Sequence, residues 1–279
     1  MRLAVKFAYD GVPFHGYQRQ PHLRTVEDEI ISCLQKARII DDVRESGFKS
    51  GSRTDKGVSA IGNVLAFDTD FNPGDVAPAH NAYSRDVWFL SVTEVDDHFH
   101  PRSASCRWYR YHLRRRKSLD ALRRVAGAFV GEHDFKSFSR ARSDTVRTID
   151  VVDIRQERDF TVIDIRGRSF LWQMVRRMIG AIVGYECGEV DMKTICRALE
   201  GEKLAVKPAP PEPLFLMDVQ HDDVEFRIDP RIRQKVIRDL TVASERAALK
   251  KELYETVKRT IRSRARSQER LYVSKDGHI

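Results

Sequence analysis

The segment Gly51-Ser52-Arg53-Thr54-Asp55-Lys56-Gly57-Val58-Ser59-Ala60-Ile61-Gly62 lies between a helical pattern and a strand pattern, and sets one carboxylate, Asp55, between the cations Arg53 and Lys56. Upstream of it, Thr25 precedes Val26, Ile30, Leu34 and Ala37 at spacings of four and three. Asp28 occupies the capping-box position, so an amphipathic helix is predicted there. Farther back, Leu3, Val5, Phe7 and Tyr9 alternate with Ala4, Lys6 and Ala8 until Asp10-Gly11 breaks the run, which is a strand pattern. Downstream, Val64 to Thr69 and Val87 to Val95 read as strands, with a helix from Pro73 to Ser84 between them.

A second set of elements follows in the same style. The patterns predict a strand from Ser105 to Leu113 and a helix from Ser118 to Val130 with Leu119, Leu122, Val125 and Phe129 inward. Strands from Thr148 to Arg155 and Phe160 to Arg166 are joined through Glu157-Arg158-Asp159. A helix from Ser169 to about Tyr185 buries Phe170, Met174, Met178, Ala181 and Ile182. A short helix near 191 to 200 and a strand from Leu214 to Val219 close the set. There is no internal sequence repeat. From 220 to 279, Ile232, Val236, Leu240, Leu253, Val257 and Ile261 recur at helical spacing on a basic background, which predicts a helical extension lying on RNA, on a partner, or in solvent. The expected division is 1–103, carrying Asp55, then 104–219, then the basic extension 220–279.

Composition bounds the partners. Hydrophobic residues make up 41% of the 279, enough for a real core. The formal charge of +8 and the preference for Arg over Lys favour a polyanion held by bidentate contacts, against the plainer reading of a basic surface kept for solubility. Cys33, Cys106, Cys187 and Cys196 form no C-x-x-C pair and have no histidines at ligand spacing, so neither zinc nor a disulfide is expected. Met1 is followed by an ordinary strand pattern, and no apolar run approaches the ~18 residues of a membrane span, so a cytoplasmic protein is expected.

Three stretches offer chemistry. A carboxylate flanked by cations suits a nucleophile or counter-ion better than a proton donor, although a turn aspartate in a solvated loop has the same local sequence. Alternation along 105–113 puts Arg107, Tyr109 and Tyr111 on one face. Such a face stacks a base and holds a phosphate, or else it is a core strand with snorkelling arginines. Arg176 and Arg177 interrupt an apolar helix, and positions 172, 176, 180 and 183 define a face distinct from the Met174/Met178 stripe. A cation there needs an anion, whether a structural partner, a catalytic carboxylate or a phosphate.

Several motifs in sequence order then converge. Tyr9-Asp10-Gly11, Phe14-His15-Gly16-Tyr17-Gln18-Arg19-Gln20, Ser52-Arg53-Thr54-Asp55-Lys56-Gly57-Val58, Trp108-Tyr109-Arg110-Tyr111, Phe170-Leu171-Trp172-Gln173-Met174-Val175-Arg176-Arg177 and Glu212-Pro213-Leu214-Phe215-Leu216 together resemble the tRNA pseudouridine synthase A family, in an archaeal-type form, over about residues 1 to 218. The resemblance implies that Asp55 is the nucleophile and that Arg176 pairs with it. It implies that Tyr109 packs on the target uracil, that Arg53 fills the place of the flipped-out base, and that Gln18, Arg19 and Gln20 face the RNA; Arg107 joins them as a substrate-binding candidate from the strand face it shares with Tyr109. It further implies an α+β fold of two ferredoxin-like halves sharing a mostly antiparallel sheet around a basic cleft, a homodimer, no cofactor and no metal, and a substrate uridine at positions 38 to 40 of the tRNA anticodon arm. Ser59 and Pro213 depart from the family's usual His and Gly. Two rivals remain at this level: a non-catalytic RNA-binding protein, and a metal-dependent hydrolase using Asp55, which lacks a second carboxylate at useful spacing.

Overall fold

In a computed structural model describing residues 1–114 and 118–273, β1 (Arg2–Tyr9) forms where the alternation begins, with Leu3, Val5, Phe7 and Tyr9 all buried. α1 (Val26–Lys36) starts at the Thr25 cap, whose hydroxyl accepts from the Asp28 N–H at 3.3 Å and donates to the Asp28 carboxylate at 2.8 Å. β2 (Lys49–Ser50), β3 (Ser59–Asp68), α2 (Pro73–Tyr83) and β4 (Val87–Glu94) complete the first half. The second half comprises β5 (Cys106–Leu113), α3 (Leu119–Gly127), β6 (Gly131–Asp134), β7 (Val146–Ile149), β8 (Val151–Glu157), β9 (Phe160–Gly167), α4 (Met174–Glu186), α5 (Met192–Leu199) and β10 (Leu214–Gln220). Residues 1–229 form one unit. A second unit contains α6 (Pro230–Val273), and the last residues of the expected extension, 274–279, lie outside the described residues.

The main sheet runs β4-β1-β3-β10-β5-β9-β8, with β2 added to β3. All its pairings are antiparallel except β3 with β10, where Ser59 and Ala60 face Phe215 and Leu216. This parallel seam joins the two α/β halves into the expected mostly antiparallel sheet. It also sets the start of β3 beside the end of the chain's second half, so residues just before Ser59 stand where both halves meet.

Several boundaries differ from the sequence expectation for local reasons. β3 begins at Ser59 rather than Val64, because its first residues pair across the seam and Gly62-Asn63 masks the alternation. The strand expected from Thr148 to Arg155 is two strands. β7 pairs with β6 in a separate two-stranded sheet, and Asp150 separates it from β8 in the main sheet. α3 stops at Gly127, short of Val130, although Phe129 is still fully buried. α4 begins at Met174 rather than Ser169, since Gln173 adopts a left-handed φ of 62° that no continuous helix admits. Phe170 and Trp172 therefore sit on the approach to the helix and not on it.

Two buried polar arrangements knit the sheet. Asp164 on β9 accepts from Trp108 Nε1 at 2.8 Å, from Arg110 at 2.8 and 3.0 Å and from Arg155 at 2.6 Å. Those donors hold its carboxyl below the ordinary range against the opposing effect of burial. His80 on α2 stacks on Phe89 at 3.6 Å between ring centroids and is fully buried. Burial pushes it down to about 4, so at neutral pH it is uncharged.

Candidate active site

The loop between β2 and β3 is fastened at four points. Asn63 donates to the Ser52 carbonyl at 2.8 Å and accepts from the Ser52 N–H at 3.2 Å. The Tyr9 hydroxyl shares a 2.7 Å hydrogen bond with the Thr54 hydroxyl, and the Tyr17 N–H donates to the Thr54 carbonyl at 3.1 Å. The Asp55–Val58 turn is closed by the Val58 N–H donating to the Asp55 carbonyl at 3.1 Å, with Gly57 at φ 84° as the third residue of a type II turn requires. Gly11 lets the end of β1 approach closely, since a Cβ there would lie 2.1 Å from the Val58 carbonyl oxygen. Asp55 is thereby presented on a rigid loop rather than a solvated one.

Its carboxylate is oriented on both oxygens. Oδ2 accepts from Arg176 at 2.8 Å, and Oδ1 accepts from Trp172 Nε1 at 3.2 Å. Arg176 stands in the first turn of α4, from the other half of the sheet, and is itself fixed by donating through Nε to the Ala209 carbonyl at 2.8 Å. Both partners of the Asp55–Arg176 pair are shielded, with side chains 19% and 13% exposed, so the pair is far less screened than a surface bridge. Trp172 is steadied in turn by Arg140, whose guanidinium lies 5.0 Å from its ring and whose N–H donates to the Trp172 carbonyl at 3.0 Å.

Asp55 opens onto a cavity of about 910 Å³. Asp55 is the only carboxylate among the described residues lining it, against cations from Arg19, Arg53, Lys56, Arg102, Arg107 and Arg176. The side chains of Arg53, Lys56 and Arg102 make no ion pair among the described residues, which leaves their charge for a ligand. Tyr109 on β5 is 8% exposed and meets Phe170 edge-on at 5.2 Å. Burial and the nearby Asp55 charge outweigh the Arg107 cation and push its phenol up to about 12, so it is protonated at neutral pH. A smaller space of about 410 Å³ also borders Asp55, walled by Val12, Trp172, Pro211 and Glu212.

The residues expected from the sequence thus line one cavity: Gln18, Arg19, Gln20, Arg53, Asp55, Arg107, Tyr109 and Arg176. They are not equally free. Gln20 donates to the His15 carbonyl at 2.8 Å. Arg107 is buried, donating to the Ser52 hydroxyl at 3.0 Å, to the Arg102 carbonyl at 2.9 Å and to the Arg168 carbonyl, so its guanidinium anchors the loop. Of the arginine pair on α4, Arg176 finds the carboxylate and Arg177 finds the Val206 carbonyl at 2.6 Å. Trp172 and Phe170 were not singled out by sequence reasoning as site residues. The spacing of four between Trp172 and Arg176 was the available signal, but their common partner stands 117 positions from Trp172 in the chain.

Comparison with known proteins gives the site a context. A sequence model described as tRNA pseudouridine synthase matches residues 125–222. A tRNA pseudouridine synthase A of Thermococcus sibiricus is 43% identical over 86% of this chain and 92% of its own length, and that of Pyrococcus furiosus is 40% identical over 91% and 97%. Among solved structures, a chain from an H/ACA RNP bound to a substrate RNA containing 2'-deoxyuridine aligns over 63% of this chain and 41% of its own, with 14% identity and a TM-score of 0.34.

Proposed function

The chain belongs to the tRNA pseudouridine synthase A family of isomerases, and on that footing we propose that it converts uridine to pseudouridine at positions 38 to 40 of the tRNA anticodon arm, with Asp55 as nucleophile. The observation that carries the assignment of Asp55 is its position as the only described carboxylate in a cation-lined cavity, with both oxygens oriented by side chains of the other half.

The reaction is an internal exchange. The bond from uracil N1 to C1′ of the ribose breaks, the uracil turns, C5 joins C1′, and the C5 proton leaves as N1 gains one, so atoms and redox state are unchanged. The target must first leave its stack, which costs a few kcal/mol that backbone and aromatic contacts offset. Arg102 and Lys56 are the cations open to the RNA backbone, Arg53 fills the place of the flipped-out base, and Gln18, Arg19 and Gln20 line the same wall. Tyr109, protonated and packed against Phe170, holds the uracil face. Arg107 supports this from behind, by fixing Ser52 and hence the loop that carries Asp55. Arg176 and Trp172 aim the carboxylate at the sugar and base, which is the positioning that converts a bound substrate into a reacting one.

Recognition by a homodimer, with one tRNA touching both protomers, belongs to the same proposal. Sedimentation equilibrium should give twice the 32.2 kDa chain mass, and a single-chain mass under working conditions would remove that part. The catalytic part is tested by assaying pseudouridine formation in tRNA transcripts that keep a single uridine at 38, 39 or 40, and in one with all three replaced by cytidine. Product in the single-uridine transcripts and none in the triple replacement is expected, and product formed elsewhere with all three replaced would overturn the site assignment.

A further inference from the structure

Charge is distributed very unevenly along this chain. Residues 230–279 carry 14 Lys and Arg against 6 Asp and Glu, whereas residues 1–229 carry 35 of each. The whole formal charge of +8 therefore resides in the C-terminal segment, and the unit that holds the cavity is neutral overall. α6 carries most of that segment as one helix of 44 residues, about 66 Å long at 1.5 Å per residue. Every residue from 240 to 264 is exposed. Some of its cations are neutralised within the helix, as in Lys235–Asp239 at 3.0 Å, Lys258–Glu255 at 2.8 Å and Arg259–Glu252 at 2.7 Å. Arg246, Lys250, Lys251, Arg262 and Arg264 have no such carboxylate partner among the described residues.

We propose that α6 is a phosphate-binding arm for the tRNA backbone. This rests on the tRNA reading above for the identity of the RNA. Cations without counter-ions, spread along an exposed helix, match the even negative charge of a nucleic-acid backbone, so the arm supplies affinity and steering. A second copy of the same helix would set +8 against +8, a repulsion that disfavours it as the occupant of this surface. The division of labour is then plain: the cavity's own arginines fix the target, and the arm supplies the long-range attraction that a neutral body lacks.

The test uses the full chain with Arg246, Lys250, Lys251, Arg262 and Arg264 all changed to Gln, a residue of similar helix propensity. A charge-retaining control exchanges Lys for Arg, and Arg for Lys, at the same five positions. With helix content equal by circular dichroism, the Gln variant should bind tRNA at least tenfold more weakly near physiological salt. The slope of log affinity against log salt should become shallower by about 2 or more, since each lost phosphate contact removes roughly 0.7 to 0.9. The control should keep the parent slope, and the single-turnover rate at saturating tRNA should stay within twofold. An unchanged slope in the Gln variant overturns the arm, and so does an unchanged slope accompanied by a changed sedimentation mass, which would assign the helix to protein docking. A steep slope that depends on these five charges in a chain that makes no pseudouridine would sink the catalytic reading and leave the arm standing.

Discussion

Asp55 illustrates how far a single residue is legible and where legibility stops. Its loop and flanking cations are legible in the segment itself, whereas its pairing with Arg176 was implied only by the family resemblance, since the helix pattern left the anion open. The Trp172 contact was not foreseen, because it depends on the chain turning at Gln173 through a left-handed φ that no local pattern announces. Two substitutions separate the roles. Trp172→Phe keeps the ring over Arg140 but removes the N–H donor to the carboxylate. We expect kcat to fall about tenfold, the worth of one hydrogen bond to a charged group, with KM little changed; equal kcat would assign Trp172 to packing alone. Arg176→Lys cannot hold the Ala209 carbonyl and Asp55 together in one planar group, and we expect a loss of about 10²-fold in single-turnover rate from misaligned geometry. His80 offers a pH test. Its depressed folded value, about 4 against about 6.5 when unfolded, means the unfolded chain binds the extra proton first. The stability it contributes is full above about pH 6.5 and is lost as pH falls toward 4, amounting to roughly 3 kcal/mol. Urea titrations should show that acid loss in the parent and a much flatter profile in His80→Phe, and parallel profiles would contradict it.

At the scale of elements, the helices and strands with capped or alternating starts were readable. Thr25 announces α1 and the Leu3-to-Tyr9 alternation announces β1. Errors cluster where long-range pairing overrides local pattern. β3 is extended toward the loop by its seam with β10, and the run from Thr148 is shared between two sheets with only Asp150 between them. The pairing of β5 with β9 explains why Trp108 and Arg110 are not ligand groups: facing away from Tyr109, both are committed to Asp164. Removing that acceptor leaves two arginines and an indole without their buried partner. Asp164→Ala should destabilise the protein by about 3 to 5 kcal/mol in reversible denaturation, and a change under 1 kcal/mol would show that the cluster relaxes into water. Because the Asp164 carboxyl is held below its ordinary range, its contribution is present above about pH 4 and fades as pH falls through its lower folded value.

For the whole molecule, the net charge suggested a polyanionic partner but not where it would bind, since an overall +8 conceals a neutral 229-residue unit and a strongly basic C-terminal segment. The cavity is locally cationic because its loops gather arginines from distant stretches, an arrangement that only the fold creates. Two halves meeting at one parallel strand pair place a carboxylate from the first against an arginine and a tryptophan from the second, so catalysis and the integrity of the seam are expected to fail together when either half is displaced. The most direct test of this account is tritium release from tRNA labelled at uridine C5, comparing the parent chain with Asp55→Ala and Asp55→Asn at equal, saturating tRNA binding. Release by the parent and none above background from either variant is the predicted result. Release by the variants at the parent rate would contradict the assignment of Asp55.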